Sequence, residues 1–208
     1  VPGVLNRQLE AIKQAAEGSE ADIWVMAPMI STTSEARTFK KMLDEVGLQT
    51  QGVMVETPAA AVNAEAILGE VDFVSIGTND LTQYTMAADR LLGDLAHLNN
   101  PWQPAVLKMI KLTVEGAQRA SVVHGIKKYV SVCGEAAADP ALAVVLVGLG
   151  VDTLSMNAGA IAAVSAVLKT VTKEKAQQIA IKALSEISSA EAKEAAREEL
   201  PILDELGL

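Results

Sequence analysis

Aromatic residues make up only 3% of this 208-residue chain, and cysteine occurs once, at Cys133. With so few rings, the core has to be built from Ala, Val, Ile, Leu and Met, and hydrophobic residues supply half the sequence. A single cysteine excludes an internal disulfide and fits a reducing compartment. Cations are also short. Lys and Arg total 17 against 26 Asp and Glu, a net charge of −9. No basic face is available for a nucleic-acid backbone, and an anionic substrate must be held by local groups against the overall field. Long hydrophobic runs are missing too. The longest spans residues 141–150, well short of the roughly 20 residues that cross a membrane. Residues 1–20 carry charges throughout and contain no signal-peptide apolar stretch. These absences predict a cytoplasmic protein with neither nucleic acid nor membrane as partner. The first residue is Val, not Met, so a fragment is expected.

What is present is an alternation of two patterns. Nearly continuous apolar runs at residues 22–29, 52–56, 71–76, 128–133 and 151–155 read as strands buried on both faces. Helical stretches fall between and after them: 34–46, 58–68, 102–125, 140–149, 158–170, 173–188 and 190–200. The first follows a Ser-Thr-Thr-Ser cluster that can cap it, and the second begins with Pro58 at a first-turn position. No composition break or linker divides the chain, so residues 1–208 read as one α/β domain with a parallel sheet. A (β/α)8 barrel needs eight strands and about 250 residues. Five strands imply either an open doubly wound sheet or the C-terminal part of such a barrel.

Three strands end in reactive side chains: Val55-Glu56-Thr57-Pro58, Gly77-Thr78-Asn79-Asp80 and Val132-Cys133-Gly134-Glu135. In parallel α/β folds the carboxyl ends of strands carry the chemistry. Taken alone, each acid reads as a helix N-terminal residue favoured by the dipole. On adjacent strand ends, Glu56 and Asp80 read as two hard oxygen ligands, a set that suits Mg²⁺ together with substrate oxygens. Arg90 is the arginine nearest this rim among five and offers a fork for phosphate. Cys133 is either a buried structural thiol or, given its strand-end position, a proton donor or nucleophile. His97 and His124 read as satisfied structural groups, and the Met-rich segment Trp24-Val-Met26-Ala-Pro28-Met29 as core.

The run from Asp72 to Arg90, DFVSIGTNDLTQYTMAADR, resembles the long signature of the phosphoenolpyruvate-utilising enzymes. These include Enzyme I of the bacterial sugar phosphotransferase system, pyruvate phosphate dikinase and phosphoenolpyruvate synthase. Met26-Ala-Pro-Met29, Gly52-Val-Met-Val-Glu-Thr-Pro-Ala59, His97-Leu98, Val132-Cys-Gly-Glu135 and Gly148-Leu-Gly-Val-Asp152 resemble the Enzyme I branch, and the likeness runs from about Ile23 to Val167.

The resemblance implies a phosphoenolpyruvate-binding (β/α)8 barrel lacking its first three strands here. It places Glu56 and Asp80 on Mg²⁺ ligands, Asn79 and Arg90 on groups that hold the phosphoryl, and Cys133 on the acid that protonates the enolate carbon. It further implies phosphoryl transfer from phosphoenolpyruvate to a histidine on a separate, absent domain, release of pyruvate, the carrier protein HPr as a partner reached through that domain, and a homodimer. Many relatives carry an Arg before a Gln-Leu in the helix ahead of the fourth barrel strand, where this chain has Asn6 beside Arg7. Rival readings are a fragment of the dikinase or synthase, or a non-catalytic dimerisation module.

Overall fold

The computed structural model describes residues 3–208. Helix α1 (Val4–Ala16) leads into five strands: β1 (Trp24–Ile30), β2 (Thr50–Val55), β3 (Phe73–Gly77), β4 (Tyr129–Cys133) and β5 (Thr153–Ser155). All neighbouring pairs are parallel, and the order across the sheet is β1-β2-β3-β4-β5. A doubly wound sheet reverses direction at a switch point. This one never does. Right-handed crossovers in one direction put every connecting helix on the same face, so the open doubly wound alternative is not what forms.

Between the strands lie α2 (Thr33–Val46), α3 (Pro58–Val62), α4 (Ala64–Leu68), α5 (Thr78–Met86), α6 (Pro104–His124), α7 (Glu135–Ala138) and α8 (Pro140–Leu149). After β5 come α9 (Ala158–Leu168), α10 (Lys173–Ser185), α11 (Ser189–Arg197) and α12 (Ile202–Glu205). Local chemistry fixes several ends. Thr32 and Glu35 form a reciprocal capping box on α2, which Gly47 closes in the left-handed region. Thr57 caps α3 and Asp139 caps α8.

Strand parity separates two faces. Val53, Val55, Val74, Ile76, Val130 and Val132 point to the helices and are at most 1% exposed. They meet Leu107, Ile110 and Val114 of α6 and Leu142 and Leu146 of α8 in one continuous core. Each such side chain contributes roughly 1.5–3 kcal/mol on burial. A smaller cluster of Leu9, Phe39, Leu43 and Leu48 seats α1 on α2. At Gly148 the backbone of α10 comes so close that a methyl group there would strike the Ala176 carbonyl. The opposite sheet face is open at Trp24 (49% exposed), Met26 (41%) and Tyr129 (43%), while Phe73 and Ser75 in its middle are buried.

Three expectations need correcting. The helix expected over 58–68 is two, because Asn63 leaves helical geometry (ψ 18°) and its side-chain amide donates to the Ala59 carbonyl at 3.0 Å. The expected strand at 151–155 shortens to three residues, and Asp152 just ahead of it bonds Val130 through both its own N–H and its carboxylate. The Met-rich first strand is not core: Trp24, Met26 and Met29 face outward. Among the described residues no helix is long and apolar enough to cross a membrane.

Candidate functional site at the carboxyl ends of the strands

Parallel register aligns the strand ends. Val55 pairs with Ile76, Ile76 with Val132, and Gly77 with Cys133, which pairs in turn with Ser155. Glu56, one residue past β2, therefore falls in the layer of Gly77, Cys133 and Ser155. Glu56 is 6% exposed, and its carboxylate lies across the backbone of Gly77. A methyl group at residue 77 would sit 2.8 Å from Glu56 Cγ and 3.0 Å from its Cδ. The glycine is thus a cradle that only hydrogen can leave open.

The other carboxylate oxygen, Oε2, accepts the Met29 N–H at 2.8 Å. Met29 holds a left-handed φ of 57°, uncommon for a side chain of this type. The β1–β2 register slips between Ala27 and Ile30 at the same place. Pro28 has no N–H for the ladder, so the edge strand bulges here and turns the next amide toward Glu56. Beside it, the Ser31 and Thr57 hydroxyls sit 3.1 Å apart.

Asp80 lies in the first turn of α5, three residues after the cradle. It pairs with Arg90 Nη1 at 3.5 Å, with the two side chains 26% and 48% exposed, a loose contact worth little by itself. Arg90 is reached through Ala87, another left-handed residue, and its N–H donates to Gln83 Oε1 at 3.0 Å. Asn79 and Arg90 line one cavity of about 440 Å³ together with Thr82, Asn99 and Glu135. Thr82 Oγ1 and both polar atoms of Asn99 are buried there without a protein hydrogen-bond partner. Such atoms require water or ligand.

Cys133 is half-buried on the open face, and its thiol donates to the Ile76 carbonyl at 3.5 Å. Thr78 Oγ1 bonds the Cys133 carbonyl at 3.3 Å.

The structure therefore gathers Glu56, Asp80, Asn79, Arg90 and Cys133 at one end of the sheet. It does not bring Cys133 into the cavity of Asn79 and Arg90. His124 ends α6 and His97 is exposed in the connection before it. A larger cavity, about 640 Å³, lies in an apolar groove between α1, β1 and α2.

Among the described residues no group of three or more His, Cys, Asp or Glu could hold a metal. The carboxylates at this end that could offer oxygens to a hard cation are Glu56 in its cradle and Asp80. Water and substrate oxygens would complete the set, as Mg²⁺ commonly requires.

Sequence reasoning missed the roles of Met29, Thr82 and Asn99. Met29 offers a backbone amide whose direction depends on the Pro28 bulge. Thr82 and Asn99 are unremarkable residue types until packing strips them of partners.

The family model for the PEP-utilising enzyme, PEP-binding domain, matches residues 1–173. A phosphoenolpyruvate-protein phosphotransferase of Streptomyces coelicolor is 45% identical over 197 residues, covering 94% of this chain and 34% of the relative. One of Haemophilus influenzae is 37% identical over 200 residues, covering 90% and 33%. A phosphoenolpyruvate synthase of Pyrococcus furiosus is 42% identical over 166 residues, covering 77% and 20%. The chain spans about a third of the length of the phosphotransferases it matches.

Proposed function

This chain belongs to the PEP-binding domain family of the PEP-utilising enzymes, and from that premise we propose that it is the phosphoenolpyruvate-binding part of a phosphoenolpyruvate–protein phosphotransferase. The observation that carries the reading is the Glu56 carboxylate cradled on Gly77 at the strand end that leads directly to Asn79 and Asp80. Residues 1–208 act as one domain, the C-terminal part of a (β/α)8 barrel. The unidirectional sheet and its open face support that reading. The whole protein would work in the cytoplasm as a homodimer and pass phosphate through a histidine on a separate domain to HPr.

Glu56 and Asp80 would hold Mg²⁺, which when bound supplies positive charge to the phosphoryl oxygens. The chain's own groups do the rest. Asp80 gives up its loose contact with Arg90, and the guanidinium turns to the phosphoryl oxygens, aided by Asn79. Spreading charge over those oxygens is the main work of phosphoryl transfer. When the phosphoryl leaves, an enolate remains whose methylene carbon needs a proton. The Cys133 thiol gives its proton to that carbon, forming the methyl group of pyruvate, and the thiolate regains a proton from solvent. The likeness to a synthase over 77% of the chain supports a second reading, in which the same half-reaction serves a different partner domain.

Calorimetric titration of the chain with Mg²⁺ tests the site. We expect saturable binding that Glu56→Gln and Asp80→Asn each weaken by tenfold or more. Undiminished binding in both variants would remove the carboxylate pair from the metal site.

A further inference from the structure

At the opposite end of the sheet, before the strands begin, Lys128 is 8% exposed. Its ammonium carries three N–H donors, and one goes to the Val71 carbonyl at 2.8 Å. No carboxylate pairs with it among the described residues, although buried charges ordinarily have a partner. Lys128 lines a cavity of about 480 Å³ with Lys127, Lys173, Gln118, Gln177 and Asp152.

The charges in this wall do not balance. Asp152 is its one acid, and both oxygens are engaged: Oδ1 with Lys127 Nζ at 2.6 Å, Oδ2 with the Val130 N–H at 3.0 Å. That leaves Lys128 and Lys173 as two cations without carboxylate partners, in a chain whose net charge is −9. Lys173 opens α10, where the helix dipole adds partial positive charge. The amides of Gln118 and Gln177 offer further donors.

From this imbalance we infer that the cavity between α6, β4 and α10 is an anion site for a phosphate-class oxyanion, separate from the strand-end rim. Ammonium groups act on phosphate as point charges, and a tetrahedral anion accepts from several directions at once. The site stands independently of the proposed phosphoenolpyruvate chemistry, because none of its residues belongs to that rim.

The test is titration of the chain with inorganic phosphate at constant ionic strength, read by calorimetry and by NMR shifts of the Gly150 and Ala117 amides. Every sample carries Arg90→Gln, so that phosphate at the other end does not contribute. Saturable binding is expected, weakened roughly tenfold by Lys173→Gln, about the worth of one charge-assisted hydrogen bond. Gln177→Leu should weaken it by a smaller factor. Lys128→Met, if it folds, should abolish binding. An absence of saturable binding, or an affinity unchanged by Lys173→Gln, would overturn the site. Because Lys173 is on the surface, that variant decides the matter even if Lys128→Met fails to fold.

Discussion

The two ends of one sheet use the same side-chain chemistry for opposite purposes. At the amino ends, acids are fastened to backbone. Asp72 accepts the Gln51 N–H at 3.0 Å, and Asp152 accepts the Val130 N–H at 3.0 Å. Each caps a neighbouring strand and helps pin its register. At the carboxyl ends, Glu56 keeps one oxygen on Met29 and lays the other across Gly77, while Asp80 holds Arg90 only loosely. Glu56 is bonded to backbone as firmly as Asp72 and Asp152, so the contrast rests on Asp80, whose loose contact can be exchanged for a cation or substrate. The difference is positional: backbone amides at the start of a parallel strand lack a ladder partner, and a nearby acid satisfies them.

The largest effect that could break this contrast concerns Cys133. In the full-length parent, Cys133→Ala should lower pyruvate formation by roughly 10²–10⁴-fold, the usual worth of a positioned acid, with little change in phosphoenolpyruvate affinity. A near-normal rate in a pyruvate-release assay would return the thiol to a packing role.

Next in size is the cradle. Gly77→Ala should expel the Glu56 carboxylate from its place, weaken Mg²⁺ binding by tenfold or more, and cost about 1–3 kcal/mol of stability as overpacking. Titration and chemical denaturation read the two losses separately. Stability lost with metal affinity intact would mean that Glu56 is only structural.

At the fastened end, Asp72→Ala should leave the Gln51 N–H unmet and cost about 1–2 kcal/mol without touching Mg²⁺ affinity. A fall in metal binding would erase the division between the two ends.

The smallest effect is a pH dependence unrelated to either end. The Arg37 hydrogen bond holds the Glu70 carboxyl below its usual value of 4.5, and Lys175 and Lys182 do the same to Glu199. A lowered carboxylate stabilises the fold above its ordinary pKa and loses that contribution as pH falls through the folded value. Thermal midpoints should therefore drop below about pH 4.5, and Arg37→Leu should flatten part of that drop.

Much of the fold was legible because buried parallel strands announce themselves as unbroken apolar runs. All five expected strands formed within two residues of their expected limits. The sequence could not choose between barrel-type and doubly wound order, since both share the same alternation. Only pairing of β1 beside β2, and onward without reversal, separates them. The Met-rich β1 misled because its apolar residues match a buried strand while its outer face has no cover here. Of the site, the acids and Arg90 carried motif and charge. The Met29 amide and the stranded Asn99 side chain depend on dihedral angle and enclosure, which no residue type encodes.

Positions 56 and 77 are, in effect, a single locus shared by two strands. The carboxylate of one occupies the side-chain volume of the other, so neither can vary freely. Widening residue 77 demands a shorter acid at 56, yet a shorter acid would no longer reach the Met29 amide. Any route through sequence space that changes this pair must reshape the bulge in β1 as well. Double substitutions should accordingly be far from additive, with coupling on the order of 0.5–3 kcal/mol. A reaction centre tied to backbone on two neighbouring strands is free to change its partners, but hardly its own alphabet.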